Sequence, residues 1–187
     1  MTNKILLRSL LLLCVAMPAS AQDNWQGNVH FMKLLDTLDR KQDGYCLDIV
    51  GAGNNVRFDM PLITHNCKIE VGLPADELVV YREDGTIYFP AYEGCVTVMG
   101  LNDHALPLTV LMLKQCHQDQ PFLKATKFQK FSINNNKQLQ LEGTNLCITA
   151  GDVAEVTYSA AHRWRSLYMQ ECTVAQTSLS QWHFVKP

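Results

Sequence analysis

Apolar and polar residues alternate along the chain in short runs broken by Gly, Asn, Asp and Pro, the period-two pattern of half-buried β-strands. The segments "GYCLDIVG", "EGCVTVMG" and "TNLCITAG" each set a cysteine in an apolar, β-branched run that ends at Gly51, Gly100 or Gly151. "PLITHNC", "VLMLKQC" and "RSLYMQEC" are further short alternating runs, each closing on a second cysteine. Between these units, "DELVVYREDGTIYF" and "PFLKATKFQKFSINNNKQLQL" read as strand, Asp/Asn/Gly turn, strand, which is hairpin chemistry. "SLSQWHFV" is the counterpart of the strand that starts each of those hairpins. "NVHFMKLLDTLDRK" has some helical periodicity, but its place just before the first unit suits an opening strand.

The cysteines make the repetition quantitative. They fall as Cys46 and Cys67, Cys95 and Cys116, Cys147 and Cys172, with gaps of 21, 21 and 25 residues. First members recur after 49 and 52 residues, second members after 49 and 56. A period near 50 is an internal-repeat signal and outranks local propensity. Each repeat holds about four short strands, so about twelve are expected, and closing them on one another removes exposed edges. The expected fold is therefore all-β, a β-trefoil, with repeats at about 34–82, 83–131 and 132–187 of a single domain spanning 22–187. Six cysteines allow fifteen connectivities; pairing within each repeat is the most parsimonious.

Composition changes the picture in two ways. Residues 1–21 carry Lys4 and Arg8, an apolar stretch and the small-residue triplet Ala19-Ser20-Ala21, the three parts of a cleavable signal peptide. Its removal takes away Lys4, Arg8 and Cys14, moving the formal charge from −2 to −4 and leaving six cysteines for disulfides in an oxidising compartment. The expected location is secreted or periplasmic, without a transmembrane segment. A mildly acidic chain with no basic tract also excludes nucleic acid as the main partner.

The repeats resemble ricin-type β-trefoil lectins, whose units run C-L-D-(I/V), then a cysteine, then Q-x-W. The resemblance extends from about Leu34 to Val185. The tryptophan of that signature stands only at Trp182, with Ser180 at the glutamine position; Glu77-Leu78-Val79 is the triplet in repeat one and Gln120-Pro121-Phe122 the one expected in repeat two. The resemblance implies a sugar pocket built from an aspartate two residues after the first cysteine, an aromatic two residues before the second, and an Asn-Gln pair. Repeat one has Asp48 and His65 at the first two positions, and Asp76-Glu77 in place of the pair. Repeats two and three have Thr97 and Thr149, then Lys114 and Gln170, and read as scaffold.

Three carboxylates in one pocket repel one another unless a cation neutralises them. Calcium, hard and oxygen-seeking, is the expected ion. This repeat resembles the calcium-dependent branch of the family, typified by a haemolytic sea-cucumber lectin. That likeness implies Asp48, Asp76, Glu77 and the carbonyls of Ile49 and Gly51 as ligands, with Asp48 also accepting from a sugar hydroxyl and His65 stacking on the ring. Solvated turn acids and a metal-free pocket are the competing readings. The cysteines are committed to disulfides and the acids converge rather than face each other across a cleft, so no catalysis is expected. The expected function is lectin binding of galactose or N-acetylgalactosamine-type glycans, weak alone and strengthened by multivalency or a larger secreted assembly. The alternative is a protein-interaction or toxin cell-binding subunit whose trefoil has lost sugar binding.

Overall fold

The structure is a computed structural model that describes residues 28–157 and 159–187; the expected signal segment, 1–21, lies outside them. Repeat one supplies β1 (His30–Leu34), β2 (Tyr45–Asp48), β3 (Ile63–Asn66) and β4 (Leu78–Tyr81). Repeat two supplies β5 (Ile87–Phe89), β6 (Gly94–Val98), β7 (Leu111–Gln115) and β8 (Phe131–Ile133). Repeat three supplies β9 (Leu139–Leu141), β10 (Leu146–Ala150), β11 (Glu155–Val156), β12 (Arg163–Glu171) and β13 (Trp182–Val185). The 13 strands exceed the expected twelve by β11, which lies in the longer cysteine interval of repeat three and pairs only with β12. The segment with helical periodicity opens as strand β1, because Phe31, Met32 and Leu34 are all needed in the interior.

Six strands close a barrel. Within the repeats, β1 pairs with β4, while single bridges join Thr86 to Lys130 and Gln138 to Gln181 at the ends of the β5/β8 and β9/β13 pairs. Between repeats, β4 pairs with β5, β8 with β9, and β13 with β1. The ring returns to its start, so no barrel edge is left for another chain to extend. The hairpins β2–β3, β6–β7 and β10–β12 form a second layer and lean on one another: β12 pairs with β3, and Leu62 donates to the Leu111 carbonyl.

One continuous core fills the barrel and the space under the hairpins. Val79, Phe131 and Trp182 occupy matching positions in the three repeats and are all buried; Trp182 also donates its indole N–H to the Ile148 carbonyl at 2.9 Å. The disulfides run Cys46–Cys67, Cys95–Cys116 and Cys147–Cys172, one within each repeat as expected. On the chain-entropy estimate each loop stabilises by roughly 3 kcal/mol. No helix among the described residues is long and apolar enough to cross a membrane.

Two expectations are corrected. Residues 121–130 are not strand: a helical turn, α1 (Ala125–Phe128), precedes β8. The repeat-two triplet is Gln129-Lys130-Phe131 rather than Gln120-Pro121-Phe122. Gln129 and Phe131 are buried, whereas Phe122 is 73% exposed. The physical reason is loop length. Gln129 stands 13 residues after Cys116, against 10 from Cys67 to Glu77, and the extra chain folds into α1.

Candidate functional site

The threefold register places Glu77, Gln129 and Ser180 at one position, each just before a barrel strand. In repeat two the Gln129 amide is a brace. Its Oε1 accepts from the His117 N–H, and its Nε2 donates to Thr97 Oγ1 at 2.8 Å and to the Gln115 carbonyl. In repeat three the short Ser180 cannot span this gap, and Gln138 fills it from the side, donating to Ser180 Oγ and the Cys172 carbonyl. Both repeats satisfy the position with neutral groups.

Repeat one keeps half of the brace and changes the other half. Glu77 Oε2 accepts from the Lys68 N–H at 2.8 Å, the counterpart of the His117 bond. Where Gln129 would donate to Thr97, Glu77 and Asp48 are two acceptors facing each other. Asp48 is 2% and Glu77 0% exposed, and Asp48 Oδ1 and Glu77 Oε1 have no hydrogen-bond partner among the described residues. Asp76 is buried beside them, its carbonyl accepting from the Ile49 N–H. The structure thus brings Asp48, Asp76 and Glu77 into one cluster. Ile49 is buried at the end of β2, and Gly51 (φ +98°) packs so tightly on the Asn55 carbonyl that any side chain there would collide with it.

Lys68 is the residue that the sequence reading missed. Its Nζ lies 2.9 Å from Asp48 Oδ2, 2.6 Å from Asp76 Oδ2 and 3.6 Å from Glu77 Oε1, so an ammonium stands among the three acids. A signal for it existed: Lys68 directly follows Cys67, and the residue after that cysteine carries the N–H that the brace holds. Burial alone would make Lys68 easier to deprotonate, but the charges of Asp48, Glu77 and Asp76 more than reverse this and hold it protonated. One ammonium does not neutralise three acids. Burial pushes Glu77 up to about 7 even against the Lys68 charge, and burial followed by repulsion from Glu77 raises Asp48 well above an ordinary aspartate.

His65 sits opposite Cys46 on β3, 6% exposed. Its Nδ1 donates to the Asn66 carbonyl at 3.0 Å and lies 3.8 Å from both Asp48 Oδ2 and Glu77 Oε1. That bond keeps a proton on Nδ1, so this nitrogen is not a free ligand for a metal between the two acids. The His162 ring lies against it, with centroids 5.7 Å apart and planes tilted by 31°. Burial lowers the His65 pKa and keeps the ring neutral. Trp164, on β12 opposite His65, lines a separate apolar cavity of about 330 Å³ with Met60 and Val110.

No family model and no curated protein matches the chain in sequence. Solved structures resemble it in fold. The solution structure of the mdaA-1 domain is 12% identical, covering 86% of this chain and 90% of that one, with a TM-score of 0.57. The β-trefoil lectin of the Vibrio vulnificus hemolysin/cytolysin, solved with N-acetyl-D-lactosamine bound, is 15% identical over 85% of this chain and 94% of that one, TM-score 0.51. The Haemophilus ducreyi cytolethal distending toxin is 15% identical over 84% and 83%, TM-score 0.49. At these identities the likeness is one of architecture, and the fold is a β-trefoil.

Proposed function

We propose that this chain is a secreted, non-catalytic lectin that binds galactose-type glycans through repeat one. One observation carries the reading: two buried carboxylate oxygens, Asp48 Oδ1 and Glu77 Oε1, stand without a donor in the repeat whose counterparts meet the same position with neutral, self-satisfied pairs. Leaving a buried acceptor unpaired costs about 1–3 kcal/mol, which a purely structural position has no reason to carry. Sugar hydroxyls are donors of the right kind. Lys68, the least buried member of the cluster, is the group a ligand reaches first. Its ammonium has one N–H beyond those given to Asp48 and Asp76, available to a hydroxyl oxygen. The three disulfides fit an oxidising compartment.

The donor set is also chemically suited to calcium, which Asp48, Asp76 and Glu77 would hold with help from the Ile49 and Gly51 carbonyls. Calcium would supply charge neutralisation and open positions for vicinal hydroxyls. Lys68 Nζ already stands among those oxygens, so the ion enters only in exchange for the ammonium. A second reading, a protein-interaction or toxin cell-binding subunit without sugar binding, is favoured by a different observation. His162 covers His65 and Lys68 covers the acids, while Leu101, Leu106 and Leu108 are left exposed.

A glycan array probed with and without EDTA separates these readings. Galactoside binding abolished by Asp48→Ala supports a repeat-one lectin, and its loss in EDTA adds the calcium exchange. Absence of binding in both conditions, with thermal stability indifferent to calcium, leaves the interaction subunit.

A further inference from the structure

A second cavity, of about 420 Å³, lies between repeats one and two, and nothing in the reading above uses it. Its volume falls in the range of small-ligand pockets, about 300–1,000 Å³. One wall is aromatic. Phe58, from the loop between β2 and β3, packs edge-to-face on Tyr92, with centroids 5.3 Å apart and planes at 68°. Phe58 is 47% exposed, while Tyr92 is partly buried against the core and anchors the pair. Gly94 and Leu113 also line it, packed so closely that a methyl group on Gly94 would run into the Leu113 side chain.

The rest of the lining is polar and unengaged. Glu93, Lys114 and Gln115 contribute to the lining, and their side chains make no hydrogen bond or ion pair with other described residues. Glu93 is held in the left-handed region, at φ 49° and ψ 34°, where a non-glycine residue costs roughly 1–3 kcal/mol. The same backbone region recurs at the matching turn of repeat one, where Gly44 has φ +68°, so the conformation belongs to the turn that opens both hairpins. Tyr92 connects the two places: burial raises its pKa, and the charges of Asp76 and Asp48 add to the rise, so it lies within electrostatic reach of the repeat-one acids.

The exposed Phe58 ring beside one carboxylate, one ammonium and one amide matches a ligand with an apolar C–H face and several hydroxyls. The Glu93 and Lys114 charges offset each other, which favours an uncharged ligand. We propose that this cavity is a second subsite for a neutral pyranose, with Phe58 and Tyr92 as the stacking wall and Glu93, Lys114 and Gln115 as hydroxyl partners. It rests on the reading of the chain as a glycan binder, and it restores the aromatic platform that the buried His65 does not offer.

Titrating the full chain with lactose while following backbone amide shifts tests this residue by residue. The expected result is a set of shifts at residues 92–94 and 114–115. Phe58→Ala and Glu93→Gln should each weaken those shifts' apparent affinity about tenfold, while Asp48→Ala leaves them in place. Phe58 is exposed, so thermal midpoints should match the parent and exclude misfolding. Shifts confined to the surroundings of Asp48 and Lys68, indifferent to Phe58→Ala, would overturn the subsite and keep the repeat-one lectin. No shifts anywhere, with lactose or with galactose, would overturn both.

Discussion

At the scale of single residues, the site turns on one exchange of chemistry: a carboxyl pair where repeat two has an amide and a hydroxyl. Glu77→Gln recreates the Gln129 brace and gives Asp48 a donor. It should raise stability at pH 8 by about 1–2 kcal/mol, read by denaturant unfolding. The sign follows from linkage. Glu77 is raised from 4.5 to about 7, so the folded chain holds its proton more tightly than the unfolded one. Its contribution is therefore most favourable at low pH and is lost as pH rises from about 4.5 through about 7. Glu77→Gln should flatten that decline. Lys68→Met does the reverse, leaving three buried acids without a cation at a cost of about 3–5 kcal/mol near neutral pH. Calcium should then restore much of the lost melting temperature, because the ammonium no longer holds its place. A Lys68→Met variant as stable as the parent would contradict the role given to Lys68.

At the scale of elements, the β2–β3 hairpin carries Asp48 and His65, and two devices pin it. The Cys46–Cys67 bridge ties its strands, and β12 of repeat three flanks it. Arg165 on β12 extends that hold. It donates to the Gly151 and Asp152 carbonyls, and to Asp39 Oδ1 at 2.6 Å in the loop before β2, where Tyr45 also donates. Burial would raise the Asp39 pKa, but the Arg165 and Tyr45 bonds outweigh it and hold Asp39 below an ordinary aspartate. The stability this link supplies is present above the unfolded value near 3.8 and is lost as pH falls through the lower folded value. Arg165→Met should lower the unfolding free energy at pH 7 by about 1–3 kcal/mol, since the buried Gly151 carbonyl and the Asp152 carbonyl lose their donor. It should also lessen the acid sensitivity below pH 4.

The elements also show how far the sequence was legible. The cysteine period pointed to the three repeats and to one disulfide within each, because spacing records repetition directly. The triplet of repeat two misled at Gln120 because Gln129 lies beyond an inserted helical turn, and a glutamine alone does not reveal which copy is buried. Asp48, Asp76 and Glu77 were found because register aligns them. Lys68 was not, since a lysine after a cysteine looks like surface charge until the fold turns it inward. His65 lies in the same cluster, and the ring that packs on it, His162, comes from the extra residues of repeat three, more than 90 positions away, a contact no local pattern encodes.

At the scale of the molecule, a closed six-strand barrel needs no sugar to be stable, and two of its three repeats behave accordingly. Repeat one departs from the threefold symmetry: the other two repeats show that the scaffold does not require Asp48 or Glu77, and the proposed function assigns them to a ligand. The same asymmetry leaves one such acidic cluster per chain, so avidity at that site comes from several copies or an assembly. The most direct measurement is an amide-shift titration of the oxidised chain with galactose, comparing the three symmetry-related positions. The account predicts shifts at Asp48, Lys68 and Asp76 that disappear in Asp48→Ala, with none around Thr97 or Thr149. Equal shifts at all three positions, or none at Asp48 and Lys68 while Thr97 or Thr149 responds, would contradict it.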